Sequence, residues 1–131
     1  KEDKLNEKYY LPKDSKYWNM IKAESKVHGN DRLFQIRRTK VRVCPENTCP
    51  TLTANMGTGG HNVPMVPIKK GKGIRWRKLT PLECFKFQGY DENIELPDNV
   101  ANGQLYKQAG NSVSVPVITE LAKAILKSLE K

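Results

Sequence analysis

The sequence predicts a small α+β unit whose last helix belongs to a larger surface than the chain itself supplies. Three observations lead there. From Val117 onward, apolar residues recur at Val117, Ile118, Leu121, Ala122, Ile125, Leu126 and Leu129, with Lys123, Lys127 and Glu130 between them, which is helical spacing. Upstream, apolar and polar residues alternate around Phe34 to Arg37, Val41 to Val43 and Ile74 to Arg77, the two-residue period of strands. Between these regions Thr80-Pro81-Leu82-Glu83 has the form of a capping box with proline in the first helical turn.

In chain order, Lys1 to Lys8 is charged and reads as a tail or linker. Asp14 or Ser15 can cap a helix from about Lys16 to Val27, whose apolar members are Tyr17, Trp18, Met20, Ile21 and Ala23; Gly29-Asn30-Asp31 ends it. Leu33 to Val43 is extended, with a bend at Arg38-Thr39-Lys40. Cys44 to Asn62 is a long polar loop, a length that is usually functional. Val63 to Ile68 reads as a strand that Pro64 and Pro67 should confine to a sheet edge. Ile74 and Trp76 alternate with Arg75 and Arg77, giving a strand with one basic and one apolar face. The short helix after Thr80 stops at Gly89. Asp91 to Gly103 is an acidic connection, and Leu105 and Tyr106 lead into Gln108-Ala109-Gly110-Asn111-Ser112-Val113-Ser114-Val115-Pro116, a polar turn at the mouth of the last helix. Trp18, Trp76 and Phe87 are expected in the core.

The 131 residues carry a net charge of +9. Arg32, Arg37, Arg38, Lys40 and Arg42 form one stretch without an acid; Lys69, Lys70, Lys72, Arg75, Arg77 and Lys78 form another. Lying on either side of the loop, they suit phosphate contact, although a solvated basic face would read the same way. The three cysteines, an odd count, favour free thiols and a reducing compartment. Cys44 and Cys49 with His28 and His61 match no common zinc spacing. No run approaches a membrane span.

Three stretches carry a family resemblance. Arg77-Lys78-Leu79-Thr80-Pro81-Leu82-Glu83-Cys84-Phe85-Lys86-Phe87-Gln88-Gly89-Tyr90 resembles the ninth motif of the DNA cytosine-5 methyltransferases. Gln108 to Val113 with the terminal helix resembles their tenth motif. Cys49-Pro50-Thr51-Leu52-Thr53-Ala54-Asn55-Met56-Gly57-Thr58-Gly59-Gly60 is similar to the Thr-Leu end of their target-recognition domain. The resemblance implies a tail over 1–8, a small target-recognition domain over 9–105 that includes the ninth motif, and a tenth motif with C-terminal helix over 106–131 that would complete a Rossmann-like methyltransferase domain. It further implies that Asn111 and Ser112 line an S-adenosylmethionine pocket shared with that larger domain; helix capping alone is the plainer reading of the same pair. Thr51, Leu52, Thr53, Asn55, Gly57, Thr58, Gly59 and Gly60 are expected at DNA base edges, and Arg37, Arg38, Arg42, Lys70, Lys72 and Arg75 at phosphates of double-stranded DNA. Arg77, Thr80, Pro81 and Glu83 are expected to be structural.

The family's Pro-Cys nucleophile does not occur here: Cys44 and Cys49 precede prolines, and Cys84 follows Glu83. Its Glu-Asn-Val, Phe-x-Gly-x-Gly and Gln-x-Arg-x-Arg motifs are not seen either. The chemistry needs a thiolate that adds to a flipped-out cytosine. The chain, beginning at Lys1, is therefore expected to be the C-terminal part of such an enzyme, a separate subunit or a truncated piece, inactive without its catalytic part. The alternative is a non-catalytic DNA-binding module derived from the same family. The resemblance implies a restriction-modification setting and a cytoplasmic location in a bacterium or phage.

Overall fold

The computed structural model describes residues 5–57 and 61–130. Among the described residues there are four helices and four strands: α1 (Lys16–His28), β1 (Phe34–Ile36), β2 (Val41–Val43), β3 (Pro64–Lys70), β4 (Gly73–Lys78), α2 (Pro81–Phe87), α3 (Asn102–Asn111) and α4 (Val115–Leu129), preceded by one 3-10 turn at Glu7–Tyr9. The strands form one antiparallel sheet in the order β2-β1-β3-β4. Mixed helix and antiparallel sheet is the α+β class expected.

Helix α1 begins where Ser15 accepts a hydrogen bond from the Trp18 N–H at 3.2 Å and ends at Gly29, which has φ 84°. It covers one face of the sheet. Trp18 and Ile21 pack there with Leu11, Phe34, Ile36, Val41, Met65 and Trp76. The two tryptophans meet edge to face at 4.7 Å. The opposite face is covered by α2, α3 and the loop before β3. Leu52, Met56, Val63, Leu79, Cys84, Phe85, Tyr106 and Ala109 form that second core.

Three expectations need correction. Strand β3 is not at the sheet edge; it lies between β1 and β4. Its prolines fit because Pro64 is its first residue, and because β1 pairs with β3 only at Phe34–Met65 and Gln35–Pro64. At Pro67 the strand has β4 alone beside it, so it is locally an edge. Helix α3 was not anticipated: its stripe of Leu105, Tyr106 and Ala109 is short, and Ala101 provides no side-chain cap. Phe87 is not core; it is 53% exposed at the end of α2.

The two faces of β4 also differ from expectation. Arg77 is buried, and its guanidinium meets Glu83 in two 2.8 Å bonds. Glu83 also accepts from the Thr80 N–H at 2.7 Å while its own N–H donates to Thr80 Oγ1, completing the capping box. Burial pushes the Glu83 carboxyl up, but Arg77 and Thr80 together outweigh it and hold the group below its usual range.

Candidate nucleic-acid interface and the Asn111–Ser112 turn

The β1–β2 hairpin closes with the Arg37 N–H donating to the Lys40 carbonyl at 2.8 Å. Ile36 and Val41 anchor it in the core, so the polar residues between them project outward. Arg37, Arg38, Lys40 and Arg42 line an open cavity of about 810 Å³ together with His61 and Asn62. Arg38 and Arg42 are exposed. Arg37 is half-buried and donates to Asn62 Oδ1 at 3.2 Å. Asn62 has φ 67° and is held from two further sides. Its N–H donates to the Ile36 carbonyl at 2.9 Å, and its carbonyl accepts from Gln35 Nε2 at 2.8 Å. His61 and Asn62 had no functional reading in the sequence beyond loop membership. Only the pairing of Ile36 with the end of the loop brings them to the arginines.

The second basic stretch lies elsewhere. Lys70 and Lys72 flank the β3–β4 turn and are exposed. The sheet register runs from Gln35–Pro64 toward Lys70 in the direction away from Arg37. At about 3.3 Å per residue, Arg37 and Lys70 are therefore roughly 25 Å apart along the strand direction. The expectation of two stretches without counter-charge is corrected by the fold. Arg75 bonds to Glu7 at 2.8 and 3.1 Å and stacks on Tyr10 at 4.2 Å. Arg32 bonds to Asp31 and Glu46. Of the six phosphate candidates, Arg38, Arg42, Lys70 and Lys72 point to solvent, whereas Arg37 and Arg75 are engaged within the protein.

The loop is divided in the same way. Thr51 and Asn55 are exposed. Leu52 is buried in the second core, so its side chain is not presented to a ligand. The Thr53 hydroxyl donates to Asn55 Oδ1 at 2.6 Å. Gly57 has φ 77°, and a Cβ there would lie 2.9 Å from the Tyr106 ring. Its N–H donates to the His61 carbonyl at 3.2 Å, which closes the base of the loop. Thr58, Gly59 and Gly60 lie outside the described residues.

Asn111 and Ser112 sit at the C-terminal end of α3, not in the first turn of the last helix. The Ser112 N–H donates to Gln108 and its hydroxyl to the Ala109 carbonyl at 2.8 Å. The expected free N–H groups of this turn are thus partly used. The Val115 N–H donates to the Gln88 carbonyl at 2.8 Å, and Pro116 has none. What remains is the exposed Asn111 amide, able to donate and accept, and the lone pairs of Ser112 Oγ. That set suits the carboxylate and ammonium end of an amino-acid-like cofactor. Ser112 also lines a cavity of about 320 Å³ with Thr51, Leu52 and Gln88.

None of the three thiols is activated. Burial pushes Cys49 and Cys84 up to about 12 and raises Cys44 as well. A thiol so placed stays protonated near neutral pH and is a poor nucleophile. Among the described residues no three His, Cys, Asp or Glu side chains stand together to hold a metal ion. No helix among them is long and apolar enough to cross a membrane.

Helix α4 has no buried residue. Val117, Ile118, Leu121, Ile125, Leu126 and Leu129 are all exposed, Leu129 to 76%. Val113 and Phe87 are exposed as well.

The profile of the family described as C-5 cytosine-specific DNA methylase matches residues 2–127. The type II methyltransferase M.Bsp6I of Bacillus sp. (strain RFL6) is 49% identical over 128 residues, 97% of this chain and 38% of that protein. The orphan methyltransferase M.Rho11sI of Bacillus phage rho11s is 47% identical over 93 residues, 69% of this chain and 18% of the phage protein. The type II methyltransferase M.SsoII of Shigella sonnei is 44% identical over 59 residues, 45% of this chain and 15% of its own. The chain thus spans well under half the length of these relatives. No solved structure matches it. The chain belongs to the C-5 cytosine-specific DNA methylase family.

Proposed function

We propose that the chain is the C-terminal part of a DNA (cytosine-5-)-methyltransferase. In this reading it supplies target recognition and part of the S-adenosylmethionine pocket, and methylates nothing without its catalytic part. The observation that carries this is α4, which presents six large apolar side chains and buries none. A face of that kind marks an interaction surface. The absence of a Pro-Cys dipeptide and the protonated, buried thiols support a catalytic centre supplied from elsewhere. The short coverage of the relatives accords with a piece of a longer protein. We take the catalytic part to cover α4, as a separate subunit or as the preceding segment of one chain.

Within this reading, double-stranded DNA lies against the Arg38–Arg42 hairpin and the loop from Thr51 to Gly60. Arg38 and Arg42 face phosphates, while the exposed Thr51 and the Asn55 amide N–H groups reach toward base edges. S-adenosylmethionine supplies the methyl group when bound. Asn111 and Ser112 would hold its amino-acid end. Methyl transfer from labelled cofactor to duplex DNA tests the proposal. The expected result is none with the 131-residue chain alone and activity when the catalytic part is supplied. Transfer by the chain alone would overturn it. Salt-sensitive DNA binding without any gain of transfer on adding that part would favour the non-catalytic module instead.

A further inference from the structure

Gly110 lies in the last turn of α3, one residue before its end, where a helical backbone does not call for glycine. Its φ is not positive, so conformation does not explain it. Close approach does. A Cβ built on Gly110 would lie 2.2 Å from both the C and O atoms of Thr53 and 2.5 Å from the Ala54 nitrogen. These are backbone atoms and cannot swing aside. One helical turn earlier, the ring of Tyr106 lies against Gly57, where a Cβ would come within 2.9 Å of it. The loop from Thr53 to Gly57 is thus seated by both ends on successive turns of α3, and the Met56 N–H bonds to the Thr53 carbonyl between them at 2.9 Å.

The residue after Gly110 is Asn111. Gln88 braces the turn from the other side: its Nε2 donates to the Ala109 carbonyl at 3.3 Å, and its own carbonyl accepts from the Val115 N–H. Thr51 and Ser112 line one cavity. The stretch proposed to read DNA and the turn proposed to hold the cofactor therefore meet across a single backbone contact.

We propose that Gly110 is a positioning residue that fastens the Thr53–Gly57 loop to the Asn111–Ser112 turn, so that filling the cofactor site stiffens the DNA-reading loop before DNA arrives. The inference rests on the reading of Asn111 and Ser112 given above. By linkage, DNA held by the loop tightens cofactor binding by the same factor.

Hydrogen exchange tests this on the chain joined to its catalytic part, without DNA and with S-adenosylhomocysteine as the probe. The expected result is slower exchange at residues 111–112 and, with it, roughly five-fold or greater slowing at residues 54–57. In Gly110→Ala the slowing at 111–112 persists and that at 54–57 is lost. Should that variant fail to fold, Gly57→Ala lifts the other end of the loop from Tyr106 and is expected to reduce slowing at 54–57 likewise. Protection at 111–112 with none at 54–57 in the unaltered protein overturns the inference while leaving the cofactor reading intact. Retained loop protection in Gly110→Ala also overturns it. No protection at either place overturns the cofactor reading and the inference with it.

Discussion

Helices α1 and α4 are both amphipathic, and the less apolar of the two is the one that is buried. Helix α1 carries five charged or histidine side chains in thirteen residues, yet Trp18 and Ile21 are sealed against the sheet and Ser15 caps its start. Helix α4 has a broader apolar stripe, and every residue of it is exposed or only half-buried. Apolar periodicity states that a face needs a partner; it does not say that the partner is in the same chain. Around α1 the partner is a sheet from residues 34–78. For α4, in our reading, it is the catalytic part of the methyltransferase.

Substitutions can sharpen that contrast. The largest effect is expected at Glu83→Ala, which removes the carboxylate that meets the buried Arg77 guanidinium and half of the capping box; about 3–5 kcal/mol should be lost in urea unfolding. A loss below about 1 kcal/mol would mean that the pair is solvated. The same pair sets an acid limit. Because the Glu83 carboxyl is held below its usual range in the fold, its contribution is present above the unfolded pKa and is lost as pH falls through the folded one. Glu83→Gln should flatten the acid side of the stability profile.

Next in size is a matched comparison. Ile21→Ala, at a fully buried site, should cost about 2–5 kcal/mol. Ile125→Ala on α4 should stay within about 0.5 kcal/mol for the chain alone. Equal costs would show that α4 is covered in the isolated chain, and would remove the argument for a partner. The smallest effects separate engaged from free arginines. Arg38→Ala should lower the slope of log affinity for DNA against log salt by about 1. Arg75→Ala, whose guanidinium is held by Glu7 and Tyr10, should leave that slope unchanged.

Much of the architecture was legible because it is written in local signals. Ser15, the Thr80–Glu83 box and Gly29 mark helix ends through hydrogen bonds spanning three or four residues, Pro116 marks one because it needs no N–H partner in a first turn, and the hairpin bend at Arg38–Lys40 lies where alternation breaks. Helix α3 was not legible, because Gly103 and Gly110 stand in its first and last turns and no side chain caps its start. The candidate site was only partly legible. Leu52 reads as a loop residue until the second core closes over it, and Phe87 reads as core although more than half of it stays exposed at the end of α2. The stretches without acids were real in the sequence. Glu7, sixty-eight positions from Arg75, could not be seen to answer one of them.

By itself, then, the sequence determined the local elements other than α3, the net basic charge, the three stretches that resemble the methyltransferases and the lack of a Pro-Cys nucleophile. The tertiary structure alone decided which arginines remain free, that the Arg37–Lys40 bend and the Lys70–Lys72 turn lie at opposite ends of the sheet, and that Gly110 sits against Thr53. The reason is range. Caps, turns and periodicity act over a few residues, whereas counter-charges, register and close backbone approach join positions that only the folded chain brings together.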